Sequence, residues 1–86
     1  MILSYNKNFQ KMFKKKNAWL QDKFEERALL FQENQYDVLL NNHALSGEYV
    51  GCRSINITGD VRAIYEEIKD NHFEFVAIGT HTELYG

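Results

Sequence analysis

Residues 49–79, YVGCRSINITGDVRAIYEEIKDNHFEFVAIG, decide the fold. Three runs, Tyr49 to Thr58, Val61 to Lys69 and His72 to Gly79, are rich in β-branched and aromatic residues. Gly59-Asp60 and Asp70-Asn71 separate them, and each pair is a good two-residue hairpin loop, so an antiparallel three-stranded meander is predicted. Counting outward from the two turns sets Ile57 opposite Arg62, Ile55 opposite Ile64, Ile68 opposite Phe73 and Glu66 opposite Phe75. Directly opposed residues share a face, and this face, with Arg53 and Arg62 on it, is expected to meet the rest of the core. Cys52, Ser54, Asn56, Ala63, Tyr65, Glu67 and Glu74 would then face solvent or a ligand. The same count puts Gly79 opposite Arg62 and gathers Asp60, Arg62 and Thr80-His81 at one end of the sheet. A histidine exchanges protons near neutral pH, and an arginine can hold a phosphate through two parallel hydrogen bonds. An aspartate serving the turn, a paired arginine and a histidine capping a strand end fit the same spacing.

Ahead of the meander the periodicity is helical. Met1 to Tyr5 suits a short strand. Phe9, Met12 and Phe13 then recur at three- and four-residue spacing and predict an amphipathic helix from about Lys7 to Lys16. Asn17 reads as a break and an N-cap. Leu20, Phe24, Ala28 and Phe31 mark a longer helix from about Ala18 to Glu33, its apolar face widened by Trp19 and Leu30. Residues 35–47, including Asn41-Asn42-His43, read as loop. The expectation is an α+β fold: a short N-terminal strand, a two-helix hairpin and the meander, with the helices on one sheet face.

The chain has 86 residues, of which 44% are hydrophobic, and its twelve aromatics (six Phe, five Tyr, one Trp) suffice for one packed core. A single domain over residues 1–86 is expected. A disordered tail would lack these aromatics, a collagenous chain would need far more than five glycines, and no apolar run approaches the roughly 20 residues of a membrane helix. Cys52 stands alone, so no internal disulfide forms, and Met1-Ile-Leu-Ser-Tyr5 does not read as a secretory signal. A reducing, cytoplasmic setting without a membrane partner is expected. The net charge of −2 hides an asymmetry: residues 1–30 carry seven basic and three acidic groups, whereas residues 31–86 carry three and nine. Any nucleic-acid surface must therefore be local. Lys14-Lys15-Lys16 suits a solvated helix end.

Several chemistries drop out. His43, His72 and His81 show no metal-ligand spacing, there is no HExxH, and no metal or other cofactor is expected. Cys52 lacks a flanking base, and the scattered glycines form no phosphate loop. Most aromatics are simplest as core; Tyr65 and Tyr85 are the better candidates for stacking on a base.

The C-terminal half carries an ordered series of short motifs: Leu40-Asn-Asn-His43, Leu45-Ser-Gly47, Gly51-Cys-Arg53-Ser-Ile-Asn-Ile-Thr-Gly-Asp60, Arg62-Ala-Ile-Tyr65 and Gly79-Thr-His81-Thr-Glu-Leu-Tyr85. The series resembles the RelE/YafQ family of bacterial toxins, whose usual order is strand, two helices, meander and a short terminal segment. The resemblance implies a type II toxin-antitoxin toxin that enters the ribosomal A site and cuts messenger RNA without a metal, by promoting attack of a ribose 2′-hydroxyl on the adjacent phosphate. It implies a cognate antitoxin, the ribosome and mRNA as partners, and operator DNA only through the antitoxin complex. Carried over by position, His43 matches the loop histidine of the YafQ branch, Asp60 its turn aspartate, His81 the histidine of its Gly-Thr-His motif and Tyr85 its near-terminal aromatic. On this reading His81 is the principal proton-transfer group with His43 as its partner, Asp60 orients one of them, and Tyr85 stacks on a base or bonds the phosphate. Arg53 and Arg62 are candidate phosphate ligands, or else structural ion pairs with Glu66 or Asp60. Three positions depart from the pattern: Asn56 replaces a histidine, Val61 an aromatic and Ala77 an arginine. They motivate a second reading, a catalytically weakened toxin fold that acts by antitoxin binding and transcriptional co-repression.

Overall fold

A computed structural model describes all 86 residues, Met1–Gly86. Strand β1 (Ile2–Tyr5) leads into helix α1 (Lys7–Phe13) and helix α2 (Ala18–Glu33); after two single 3-10 turns and a two-residue strand β2 (His43–Ala44) come β3 (Arg53–Asn56), β4 (Val61–Lys69), β5 (His72–Thr80) and a short helix α3 (His81–Tyr85). The sheet runs β1-β5-β4-β3-β2. β1 lies parallel to β5, with Leu3 beside Phe73 and Tyr5 beside Phe75, so the N-terminal strand extends the predicted meander at its far edge. The mixed α+β architecture agrees with the sequence reading.

Two asparagines set the helical hairpin. Asn6 Oδ1 accepts the Phe9 N–H at 2.8 Å and starts α1. Asn17 Oδ1 accepts the Leu20 N–H at 2.9 Å and starts α2 at the predicted residue. α1 ends at Phe13, three residues early, because the chain tightens there: Lys15 and Lys16 donate to the carbonyls of Met12 and Phe13 in three-residue turns. Gln21 Nε2, 3.2 Å from the carbonyls of Phe13 and Lys16, satisfies the freed ends.

The β3–β4 register departs from the count by one residue. Arg62 lies opposite Asn56 rather than Ile57, and Ala63 opposite Ile55. The turn is wider than Gly59-Asp60: the N–H groups of Ile57 and Thr58 both donate to the Val61 carbonyl, and Thr58 Oγ1 accepts from the N–H of Asp60 and Val61 at 3.2 and 3.0 Å. A one-residue slip exchanges the faces of β4. Ala63 and Tyr65, expected on the open side, join the core under the helices, while Arg62 and Ile64 turn to the other side. This register keeps a guanidinium out of the apolar interior and places a large aromatic in it, which desolvation strongly favours. Tyr65 is therefore no candidate for base stacking; it is 1% exposed.

The β4–β5 hairpin keeps its two-residue loop, with Lys69 opposite His72, and Arg62 does lie opposite Gly79. Between those ends irregularities at Ile64/Tyr65 and Glu67/Lys69 shift the pairing, so Glu66 faces Glu74 and Tyr65 faces Phe75. Ile68, expected in the core, is exposed. Trp19 likewise turns outward from α2 and does not widen its buried face, which consists of Phe24, Ala28 and Phe31. The main core forms between α1, α2 and the sheet, where Phe24 packs on Phe9, Phe13 and Phe75 with ring centroids 5.2–5.4 Å apart.

Candidate functional site

Opposed residues share a face, and the observed register reads directly across four strands. His43 pairs with Ser54, Ser54 with Ile64 and Ile64 with Ala77. Two residues along each strand, Asn56 pairs with Arg62 and Arg62 with Gly79. These two rows lie on the side away from α1 and α2. Helix α3 folds onto that side and closes it with Leu84, buried against Ile64 and Ala77.

The helix α3 has a local cause. Thr80 is its N-cap, and Glu83 three residues on completes a capping box: Thr80 Oγ1 accepts from the Glu83 N–H, and Glu83 Oε1 accepts from the Thr80 N–H at 2.8 Å. The Thr-x-x-Glu spacing is legible in the sequence and marks the helix start. Glu83 also receives Lys16 Nζ on both carboxylate oxygens, at 3.0 and 2.9 Å, which ties α3 to the end of the α1–α2 link. The hydrogen bond from Lys16, followed by that from the Thr80 backbone, holds the Glu83 carboxyl below its ordinary pKa. Gly79 lets this helix approach, since a Cβ at that position would stand 2.9 Å from the Glu83 Cβ.

α3 presents His81 and Tyr85 together. Their ring centroids are 4.8 Å apart, both side chains are exposed, and Tyr85 also meets Tyr49 edge-on at 5.5 Å. The Tyr49 hydroxyl donates to the Leu84 carbonyl at 3.2 Å. Burial, then the Glu48 charge, pushes the Tyr49 phenol above its usual pKa and keeps it a donor. Asp60, in the turn beside Arg62, is exposed; its N–H is bonded to Thr58, and no hydrogen bond links its carboxylate to either candidate histidine. The expected orienting contact is thus absent from this geometry.

His43 sits on the edge strand of the same face. Its Nδ1 lies 2.8 Å from the Asn41 carbonyl; a carbonyl only accepts, so Nδ1 carries the proton and Nε2 is the free ring nitrogen. The loop that bears it is pinned by Asn42, whose Nδ2 donates to the Gln35 carbonyl and the Tyr65 hydroxyl at 2.8 and 2.7 Å. Arg53 Nε donates to Asn42 Oδ1 at 2.7 Å, and its guanidinium lies 5.5 Å from the Tyr36 ring centroid. Arg53 lies opposite Tyr65 on the helix side, as expected, but Arg62 does not. Arg62 Nη1 caps the turn through the carbonyls of Thr58 and Gly59 at 3.1 and 2.9 Å. Neither arginine forms an ion pair with Glu66 or Asp60, because the two salt bridges are Lys16–Glu83 and Lys23–Glu26.

The structure therefore brings His81 and Tyr85 into contact, puts Asp60 and Arg62 at the same end of the sheet, and sets His43 across the same face without contact to them. Of the departures, Ala77 is fully buried beneath α3 and Val61 joins the helix-side core. Asn42, Tyr49 and Glu83 build the site, and composition and periodicity did not single them out. Burial, then the Glu66 charge, raises the Cys52 thiol pKa, which suits a packing residue. Nowhere do three His, Cys, Asp or Glu side chains gather closely enough to hold a metal ion, and no helix is long and apolar enough to cross a membrane.

A family model described as "Bacterial toxin of type II toxin-antitoxin system, YafQ" matches residues 2–86. No curated protein matches the chain by sequence. Among solved structures, YafQ from E. coli superposes with a TM-score of 0.82 at 23% identity, covering 98% of this chain and 97% of that one. A copper-bound mutant toxin from Helicobacter pylori is 28% identical with a TM-score of 0.74, covering 99% of each chain. The E. coli DinJ-YafQ complex matches with a TM-score of 0.76 at 23% identity, over 98% of this chain and 97% of that one.

Proposed function

This chain belongs to the YafQ family of toxins of type II toxin-antitoxin systems, and from that premise we propose that it is a ribosome-dependent mRNA endoribonuclease of the cytoplasm, held inactive by a cognate antitoxin and reaching operator DNA only in complex with it. The observation that supports this reading is the contact of His81 with Tyr85 on α3, which folds onto the sheet face away from α1 and α2 where Arg62 stands opposite Gly79. The reaction requires no protein nucleophile. A ribose 2′-oxygen bonds to the adjacent phosphorus while its proton passes to a general base; the P–O5′ bond breaks, and the leaving 5′-oxygen takes a proton from a general acid. The products are a 2′,3′-cyclic phosphate and a 5′-hydroxyl. His81 is the principal proton-transfer group, with the free Nε2 of His43 as its partner once RNA bridges the face. Arg62 has Nη1 committed to the turn and its other nitrogens free to stabilise charge growing on the phosphate. Tyr85 stacks on a base. Arg53 acts from the helix side by holding Asn42, and with it the loop that carries His43.

The test is induction of the chain without antitoxin, with primer extension on messages bound to ribosomes. Growth arrest and cuts within translated frames are expected. His81→Ala should abolish both by at least about 100-fold while leaving the fold intact, in line with the loss of a general acid-base group. A harmless wild-type chain that leaves ribosome-bound messages whole would refute the nuclease. It would favour the second reading, a toxin fold acting through antitoxin binding and co-repression. The observation behind that reading is Ala77, where the arginine of the pattern is replaced by a small residue sealed under Leu84.

A further inference from the structure

Helix α2 has an outward side that the proposed chemistry does not use. Two recesses, of about 250 and 360 Å³, adjoin along it and share Arg27 and Leu39 in their walls. The first adds Trp19 and Lys23 and reaches the turn at Thr58 and Gly59; the second adds Leu29 and Leu30. Three large exposed apolar side chains line them: Trp19 is 65%, Leu29 64% and Leu39 59% exposed. Arg27, between them, is half-buried, forms no ion pair, and its Nε is buried without a hydrogen-bond partner. Partly buried guanidinium groups normally find an acceptor. Nearby, Lys23 reaches only the exposed Glu26, at 3.5 Å.

We propose that this side of α2 docks a segment of the antitoxin that carries a carboxylate between two apolar anchors: the carboxylate meets Arg27 and Lys23, one anchor packs on Trp19 and Leu39, and the other on Leu29 and Leu30. The proposal rests on the toxin-antitoxin reading and adds to it a surface centred on α2 that meets the site face only at Asn56 and the adjoining turn. Tryptophan and arginine are the residue types that dominate binding energy at protein interfaces, above all where an unpaired guanidinium gains a desolvated partner. The alternatives fit less well. An RNA strand draws its affinity from phosphate neutralisation, yet Glu26 and Glu33 line the second recess and its floor is leucine. A second copy joined by a two-fold axis would bring one Arg27 and Lys23 pair toward another.

The experiment uses the full chain and, as probe, the antitoxin encoded by the adjoining reading frame. With only the toxin ¹⁵N-labelled, the single tryptophan gives one indole signal that reports on Trp19. The antitoxin should shift that signal, and Arg27→Gln should weaken binding at least tenfold without lowering the thermal midpoint of the free chain, because the group removed has no partner there. Leu39→Lys, at a side chain already exposed, should weaken binding similarly and serves if the first variant misfolds. A neutralising antitoxin that leaves the indole unmoved and binds both variants within twofold of wild type overturns the docking surface and leaves the toxin-antitoxin reading standing. An antitoxin that neither binds nor neutralises overturns both. Variants impaired toward 30S subunits but not antitoxin assign the surface to RNA and overturn the proposal, as does a free chain that sediments as a dimer through Arg27.

Discussion

On the helix side of the sheet, Phe9, Phe24, Phe31, Tyr65 and Phe75 lock together, and Phe75 alone lies 5.3–5.9 Å, ring centre to ring centre, from all four and from Tyr5. On the other side three residues, Ile64, Ala77 and Leu84, form the buried cluster, and one of them belongs to a five-residue helix at the chain end. Core packing there is replaced by specific polar contacts: the capping box, the Lys16–Glu83 pair and the bond from the Tyr49 hydroxyl. The proposed site thus sits on the weaker half of the molecule, as functional elements commonly do. The helix-side core supplies a rigid frame, and α3 is an attachment that can be loosened without dissolving it.

The sharpest way to break this contrast is Phe75→Ala. The loss should be about 3–5 kcal/mol, the usual cost of removing a buried phenyl ring, and therefore a large share of the roughly 5–15 kcal/mol that small domains possess. Urea unfolding followed by circular dichroism would measure it. A loss below about 1 kcal/mol would mean that the aromatic cluster is not the frame.

Leu84→Ala should cost less, about 2 kcal/mol, at the low end for a buried leucine because it belongs to a cluster of only three buried residues. The distinguishing outcome is where the loss falls. Amide exchange should rise in α3 and near Tyr49, RNA cleavage should drop at least tenfold, and protection in α2 and β4 should hold. Equal loss of protection in α2 would show that the two faces unfold as one unit.

The same contrast explains what the sequence disclosed. Apolar periodicity reports on the large core, and it placed α2 from Ala18 to Glu33 and its buried stripe Phe24, Ala28 and Phe31. Asn17 as N-cap followed from side-chain chemistry alone. The β4–β5 turn was legible because Asp-Asn there makes a true two-residue loop, with Asn71 at φ +61°. The β3–β4 turn was not, since Thr58 Oγ1 and the Arg62 guanidinium, rather than the backbone alone, bind its amides and carbonyls. That one-residue difference moved Tyr65 inward and Arg62 outward. Trp19 misled for the opposite reason, as an apolar residue at helical spacing that stays largely exposed. In the site, the strand count gathered Asp60, Arg62 and His81 at one end of the sheet, and motif order added Tyr85. Apart from the local Thr80–Glu83 capping box, the wiring that holds them, through Asn42, Tyr49 and the Lys16–Glu83 pair, consists of polar pairs distant in sequence with no periodic signature.

The smallest expected effect tests the polar attachment by itself. Glu83 has its carboxyl pKa lowered in the folded chain, first by Lys16 and then by the Thr80 backbone. A lowered folded-state value means that the carboxylate stabilises α3 fully above the ordinary carboxyl range, and that this contribution disappears as pH falls through the folded pKa. The side chain is about half exposed, so solvent and salt screen the pair and the effect is modest. The Leu84 methyl resonances should therefore drift toward unfolded positions as the pH is taken from neutral to below the carboxyl range, while Phe75 stays put. Glu83→Gln keeps an oxygen for the Thr80 N–H but loses the charge, so it should show the loosened Leu84 positions already at neutral pH and no drift on acidification. An identical drift in wild type and variant would separate the acid response from Glu83, leaving the packing of Leu84 on Ile64 and Ala77 and the Tyr49 hydroxyl bond as the ties between α3 and the frame.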